Sequence, residues 1–146
     1  MPIARRLLLP LPALALLPVP VAAQGQPVTT PPRGSALRRT MLDTARAYAE
    51  AELGPPIEFH VRVLNTNGEF AFFRGAVHRP GGRAVDWNAT RYAAQIRRGS
   101  MNESIMVLMR QEGRRWRIVE RALGPTHDPS VHWGAPYRLP RAIFEG

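Results

Sequence analysis

The chain has 146 residues, no cysteine and a formal net charge of +9, and all 20 of its basic residues are arginine. This length allows one domain around one hydrophobic core. The lack of cysteine excludes disulfides, thiolate metal sites, a cysteine nucleophile and a lipidated N-terminal cysteine.

Residues 1–23 have the three parts of a cleavable secretory signal. Arg5 and Arg6 supply the positive start, Leu7 to Val19 the apolar stretch, and Val21-Ala22-Ala23 the small residues before the cut. Pro10, Pro12, Pro18 and Pro20 interrupt the apolar run. A membrane-spanning helix needs roughly 20 consecutive apolar residues, so no span is expected in the mature chain. The arginine pair lacks the polar residue that usually precedes a twin-arginine motif, so Sec-type export to the periplasm or the medium is expected. Removing Arg5 and Arg6 lowers the formal charge from +9 to +7. Arginine suits carboxylate and phosphate partners. Outside the cytoplasm such partners are envelope polyanions or lipid headgroups, and nucleic acid is not expected.

Residues 24–34, with Pro27, Pro31 and Pro32 and no apolar periodicity, read as a flexible linker. A single domain follows over 35–146. Ser35 is placed to cap a helix. Leu37, Met41, Leu42, Ala45, Tyr48, Ala49 and Leu53 recur at three- and four-residue spacing and make one apolar stripe. Gly54-Pro55-Pro56 ends the helix.

From Ile57 to Leu64 the chain alternates, with Ile57, Phe59, Val61 and Val63 expected on one face and Glu58, His60 and Arg62 on the other. Asn67-Gly68 supplies the positive φ of a tight hairpin turn. The return strand, about Glu69 to His78, is apolar on both faces near Phe70, Phe72 and Phe73 and is expected to be central. Pro80-Gly81-Gly82 breaks the chain. A short helical turn is expected within Asp86–Arg98, with Trp87, Tyr92, Ala93 and Ile96 turned inward. Ser104 to Arg110 and Trp116 to Leu123 form a second hairpin around Glu112-Gly113. The tail from Gly124 holds Trp133, Tyr137, Leu139, Ile143 and Phe144, too many large apolar groups for a disordered end. The expected architecture is α+β: one long N-terminal helix packed on a curved four-stranded antiparallel sheet, with a C-terminal extended segment pinned against it.

The chain carries no Gly-rich phosphate loop, no Gly-x-Ser-x-Gly elbow and no His-Glu-x-x-His. No catalytic set and no cofactor are therefore assigned. His60, His78, Arg74 and Trp116 are the candidate ligand-binding residues. The two histidines share the first hairpin with Glu58 and Glu69, and a histidine–carboxylate pair is the minimum for acid–base work. Trp116 stands among Arg110, Arg114, Arg115, Arg117 and Arg121, a combination able to hold anions or sugars. The favoured reading of the cluster is a charged edge that discourages aggregation. His127, Asp128 and His132 are the weak metal candidates, although Asp128-Pro129 also reads as a plain turn.

Trp116-Arg117-Ile118-Val119-Glu120, Gly124-Pro125-Thr126, Trp133 and Leu139-Pro140-Arg141-Ala142-Ile143-Phe144 resemble a group of small exported proteobacterial proteins without an assigned function. Phe59-His60-Val61 and Ala71-Phe72-Phe73 fit the same group. There an aspartate usually follows Gly-Pro-Thr, whereas here His127 intervenes before Asp128. The order of elements is also similar to cystatin-like and NTF2-like rolls, which host binders, inhibitors and a few isomerases. The leading expectation is an exported, non-catalytic domain that binds a small molecule or a protein partner in the cell envelope. The alternatives are a small acid–base enzyme using a histidine–carboxylate pair, and an electrostatic binder of envelope polyanions.

Overall fold

A computed structural model describes residues 26–146, so the signal over 1–23 and the start at Gln24 lie outside the described residues. Helix α1 spans Ala36–Leu53. The Ser35 side chain accepts a hydrogen bond from the Arg38 amide at 3.2 Å, satisfying one free donor of the first turn. Gly54, at φ 79°, closes the other end through its amide to the Glu50 carbonyl. Met41, Ala45, Ala49 and Leu53 are buried at four-residue spacing. Leu42 and Tyr48 pack at the margin of this stripe, while Leu37, one turn earlier, stays exposed.

Four strands follow: β1 (Glu58–Thr66), β2 (Phe70–His78), β3 (Ser104–Glu112) and β4 (Arg115–Leu123). They form one antiparallel sheet in the order β1-β2-β3-β4. At the first turn the Asn67 carbonyl oxygen of the side chain accepts from the amides of Glu69 and Phe70, and Gly68 takes φ 88°. Between the hairpins, short helical turns at Trp87–Ala89 and in α2 (Ala93–Arg97) lead the chain across. Val85 is buried there, with Trp87 and Tyr92 packed beside it. Ala93 and Ile96, expected inside, are only half-buried.

Both faces of the sheet are covered. On the inner face α1 packs over Ile57, Leu64, Ala71, Phe73, Val77, Ile105, Val107, Met109 and Trp116. On the outer face Phe70, Phe72, Met106 and Leu108 are covered by Trp133 and Ile143, with Tyr137, Leu139 and Phe144 around them. The covering segment is not extended as expected. Its prolines and caps fold it into successive turns at Pro129–His132, α3 (Gly134–Tyr137) and Arg141–Phe144. The Tyr137 hydroxyl donates to Glu120 at 2.9 Å and fastens α3 to β4.

Strict alternation along β1 fails at one place. The register shifts between Val61 and Val63, so Arg62 is an extra residue. Val63, expected with Ile57, Phe59 and Val61 on the helix side, instead joins the outer cluster. Asn65 is buried, and its amide donates to the carbonyls of Ile143 at 3.3 Å and Glu145 at 2.6 Å. It also accepts from the Thr30 hydroxyl at 2.7 Å. In the segment read as a linker, Thr29 exchanges two backbone hydrogen bonds of 2.8 Å with Thr66, and Pro31 is buried. Proline-rich composition does not reveal such anchoring, because the partners lie on β1.

Phe72 and Phe73 have no exposed surface and occupy opposite faces of β2. Phe72→Ala and Phe73→Ala are each expected to cost about 3–5 kcal/mol in urea unfolding. A near-neutral Phe72→Ala would mean that the outer layer is not packed.

Candidate functional site

Arg74 follows Phe70 and Phe72 on the outer face of β2, by the two-residue period of a strand. Its guanidinium lies 5.5 Å from the centre of the Phe72 ring. The Nη2 group donates to Asp128 Oδ2 at 2.7 Å and to Ser130 Oγ at 3.2 Å. Asp128 Oδ1 accepts in turn from the Ser130 amide at 2.9 Å and from the Ser130 hydroxyl. Asp128 thereby caps the turn that starts with Pro129 while holding the arginine. Ser130 is buried, and Arg74 Nε is buried without a partner.

This Arg74–Asp128 pair separates two open clefts. The larger, about 670 Å³, is lined by Val63, Arg74, Asp128, Ser130, Leu139 and Phe144, with Val131, Arg141 and Glu145 on its margin. The smaller, about 500 Å³, is lined by Arg62, Arg74, Ala76, Ser104, His127 and Asp128. Both lie on the outer face, where the C-terminal turns cover the sheet incompletely.

Burial acts to raise the Asp128 carboxyl. The side-chain and backbone hydrogen bonds from Ser130, together with the Arg74 charge and hydrogen bond, outweigh it and hold the group below its ordinary value of 3.8. Burial, with Tyr92 nearby, raises the Tyr48 hydroxyl despite Arg121 and Arg91. The hydrogen bond to Glu120, followed by burial, raises that of Tyr137.

Of the four ligand-binding candidates, only Arg74 reaches these clefts. His60 is exposed opposite Ala76, and His78 is half-buried opposite Glu58 on the same edge. Trp116 is 9 % exposed and sits in the core beneath α1, on the other side of the sheet. Arg115 and Arg117, which flank it in the strand, therefore point to the opposite face. Arg110 pairs with Glu69 and Arg117 with Glu112, both at 2.8 Å or less. Arg121 stacks 5.3 Å above Tyr48.

The metal candidates do not converge. Asp128 is committed to Arg74 and Ser130, while His127 and His132 are exposed. Among the described residues no three histidine, aspartate or glutamate side chains could hold a metal ion together. Sequence reading assigns Val63, Leu139 and Phe144 to packing only, and gives Ser130 no role. Asp128-Pro129-Ser130 carries a local signal for the capped turn, but nothing local joins it to Arg74, 54 residues away.

No protein-family model matches the chain, and no curated protein or solved structure matches it. Among the described residues no helix is long and apolar enough to cross a membrane.

Since the folded Asp128 titrates below the unfolded one, its contribution to stability is complete above about pH 3.8 and is lost as the pH falls through its folded value. Asp128→Asn is expected to cost about 1 kcal/mol at pH 7, the pair being partly exposed. It should also flatten the acid limb of the stability curve. Denaturant unfolding between pH 2 and 7 reads both effects, and an unchanged acid limb would refute the role assigned to this carboxylate.

Proposed function

We propose that this protein is an exported, non-catalytic binding domain that takes a small molecule or a short segment of a protein partner in the larger outer cleft. The observation that carries this reading is the cleft itself. An arginine–carboxylate pair forms one wall and apolar side chains the other. Ligand sites are commonly concave, mainly apolar and furnished with a few fixed polar groups. Arg74 and Asp128 are already paired with each other, and no histidine lines this cleft. Such groups hold and orient a ligand without moving a proton. Export is supported by Arg5-Arg6, the apolar stretch behind them and the small residues before Gln24. The resemblance to small exported proteobacterial proteins points the same way.

A thermal-shift screen of small molecules, with a pull-down from envelope extract, tests the reading. At least one ligand or partner should raise the melting temperature, and Ala135→Trp should abolish the gain by filling the cleft from an exposed lining position. Finding neither ligand nor partner would overturn it.

A second reading is favoured by Arg114 and Arg115. Both are exposed at the β3–β4 turn and belong to none of the ion pairs among the described residues. They would bind an envelope polyanion electrostatically. Such binding should weaken steeply between low and physiological salt and be lost in the Arg114→Ser, Arg115→Ser double variant. Salt-independent binding would refute it.

A further inference from the structure

The larger cleft is not neutral in its preferences. Arg74 hydrogen-bonds to the protein through Nη2 alone. A guanidinium carries five N–H donors in a planar fork. The two hydrogens on Nη1 and the one on Nε have no protein partner among the described residues, and Nε is buried. A buried donor without an acceptor is costly, so this arginine is incompletely satisfied in the free protein.

Asp128 does not need Arg74 exclusively. Ser130 donates to it twice, from its amide and its hydroxyl, so the carboxylate keeps partners if the guanidinium is shared. The charged side chains of the cleft balance in number, so the open donors of Arg74 rather than net charge set its preference. Arg74 and Arg141 are set against Asp128 and Glu145. Arg141 pairs with Glu145 at 3.0 Å, but its side chain is 92 % exposed and can swing away from it. A singly charged head can be shared between the two arginines.

Part of the remaining lining is apolar. Val63, Leu139 and Phe144 form it, and Val131 stands at the rim with 70 % of its surface in water. Among the described residues the other exposed large apolar residue, Leu37, is 44 % exposed. Covering the apolar groups of the cleft is favourable, and the cleft volume is that of a single small ligand.

Resting on the binding reading above, we infer that the larger cleft takes a single-chain amphiphile with a carboxylate head, the head on Arg74 Nη1 and the apolar chain along Val63, Leu139 and Phe144. The chemistry is that of a medium-chain fatty acid.

Calorimetric titration of the mature protein with dodecanoate, dodecanol and dodecyltrimethylammonium, each as monomer, tests the inference. Dodecanoate should bind once per chain, and the neutral and cationic analogues about tenfold more weakly or worse. Arg74→Gln should weaken dodecanoate by about tenfold or more. Since that variant also leaves Asp128 without its partner, Ala135→Trp serves as the independent one: it should abolish binding while the melting temperature in the absence of ligand stays unchanged. Equal binding of dodecanol or dodecyltrimethylammonium would overturn the carboxylate assignment and leave the binding-domain reading standing. Dodecanoate binding that survives both Arg74→Gln and Ala135→Trp would overturn the site. Absence of dodecanoate binding would overturn the inference, while the wider screen still decides the binding reading.

Discussion

Phe72 and Phe73 are adjacent in the chain, lie on opposite faces of β2, and are both fully buried. Adjacent strand residues point in opposite directions, so this pair requires a cover on each side of the sheet. The inner cover is α1, whose buried stripe of Met41, Ala45, Ala49 and Leu53 is narrow and small enough to bring the helix close. The outer cover is the C-terminal segment, which brings Trp133 and Phe144 against the Phe72 ring, with centroids 6.3 and 4.9 Å away. With no cysteine in the sequence, packing, with the hydrogen bonds of Tyr137, Asn65 and Arg74, holds the two layers to the sheet.

The outer layer also depends on the bulge at Arg62. Under uninterrupted alternation, Val63 and Asn65 would continue the face of Ile57, Phe59 and Val61 and point toward α1. The bulge turns them outward. Asn65 then ties the chain near Thr30 to the turns at Ile143 and Glu145. A buried amide would be costly without partners, and these bonds supply them. Gly75 on β2 stands opposite Val61 beside this irregularity, where an added Cβ would come within 2.6 Å of the His60 carbonyl oxygen.

The clefts follow from the difference between the two covers. A regular helix lies along the inner face, whereas the outer cover is a series of short turns and leaves gaps. Arg74 stands where the turns begin, and Asp128 and Ser130 meet it there. The same ion pair that pins the first turn therefore lines both gaps. In the reading proposed for this protein, anchoring the cover and presenting a cation to a ligand are the work of one side chain.

The sequence by itself determined the elements whose signals are local. Ser35 and Gly54 bound the helix, four-residue spacing marks its buried face, and Asn67-Gly68 sets the first turn. The two-sided apolar character near Phe72 and Phe73 places β2 inside the sheet. The α+β architecture follows, because an amphipathic helix and an apolar sheet face must cover each other. Tertiary structure alone decided the rest. Trp116, read beside its arginines, turned inward because strand period sends it to the face under α1. His127 and His132 stayed in solvent, and Asp128 turned to Arg74 across 54 residues. The bulge, the anchoring of Thr29 and the cleft all arise from pairings between distant segments, which leave no periodic trace in either segment alone.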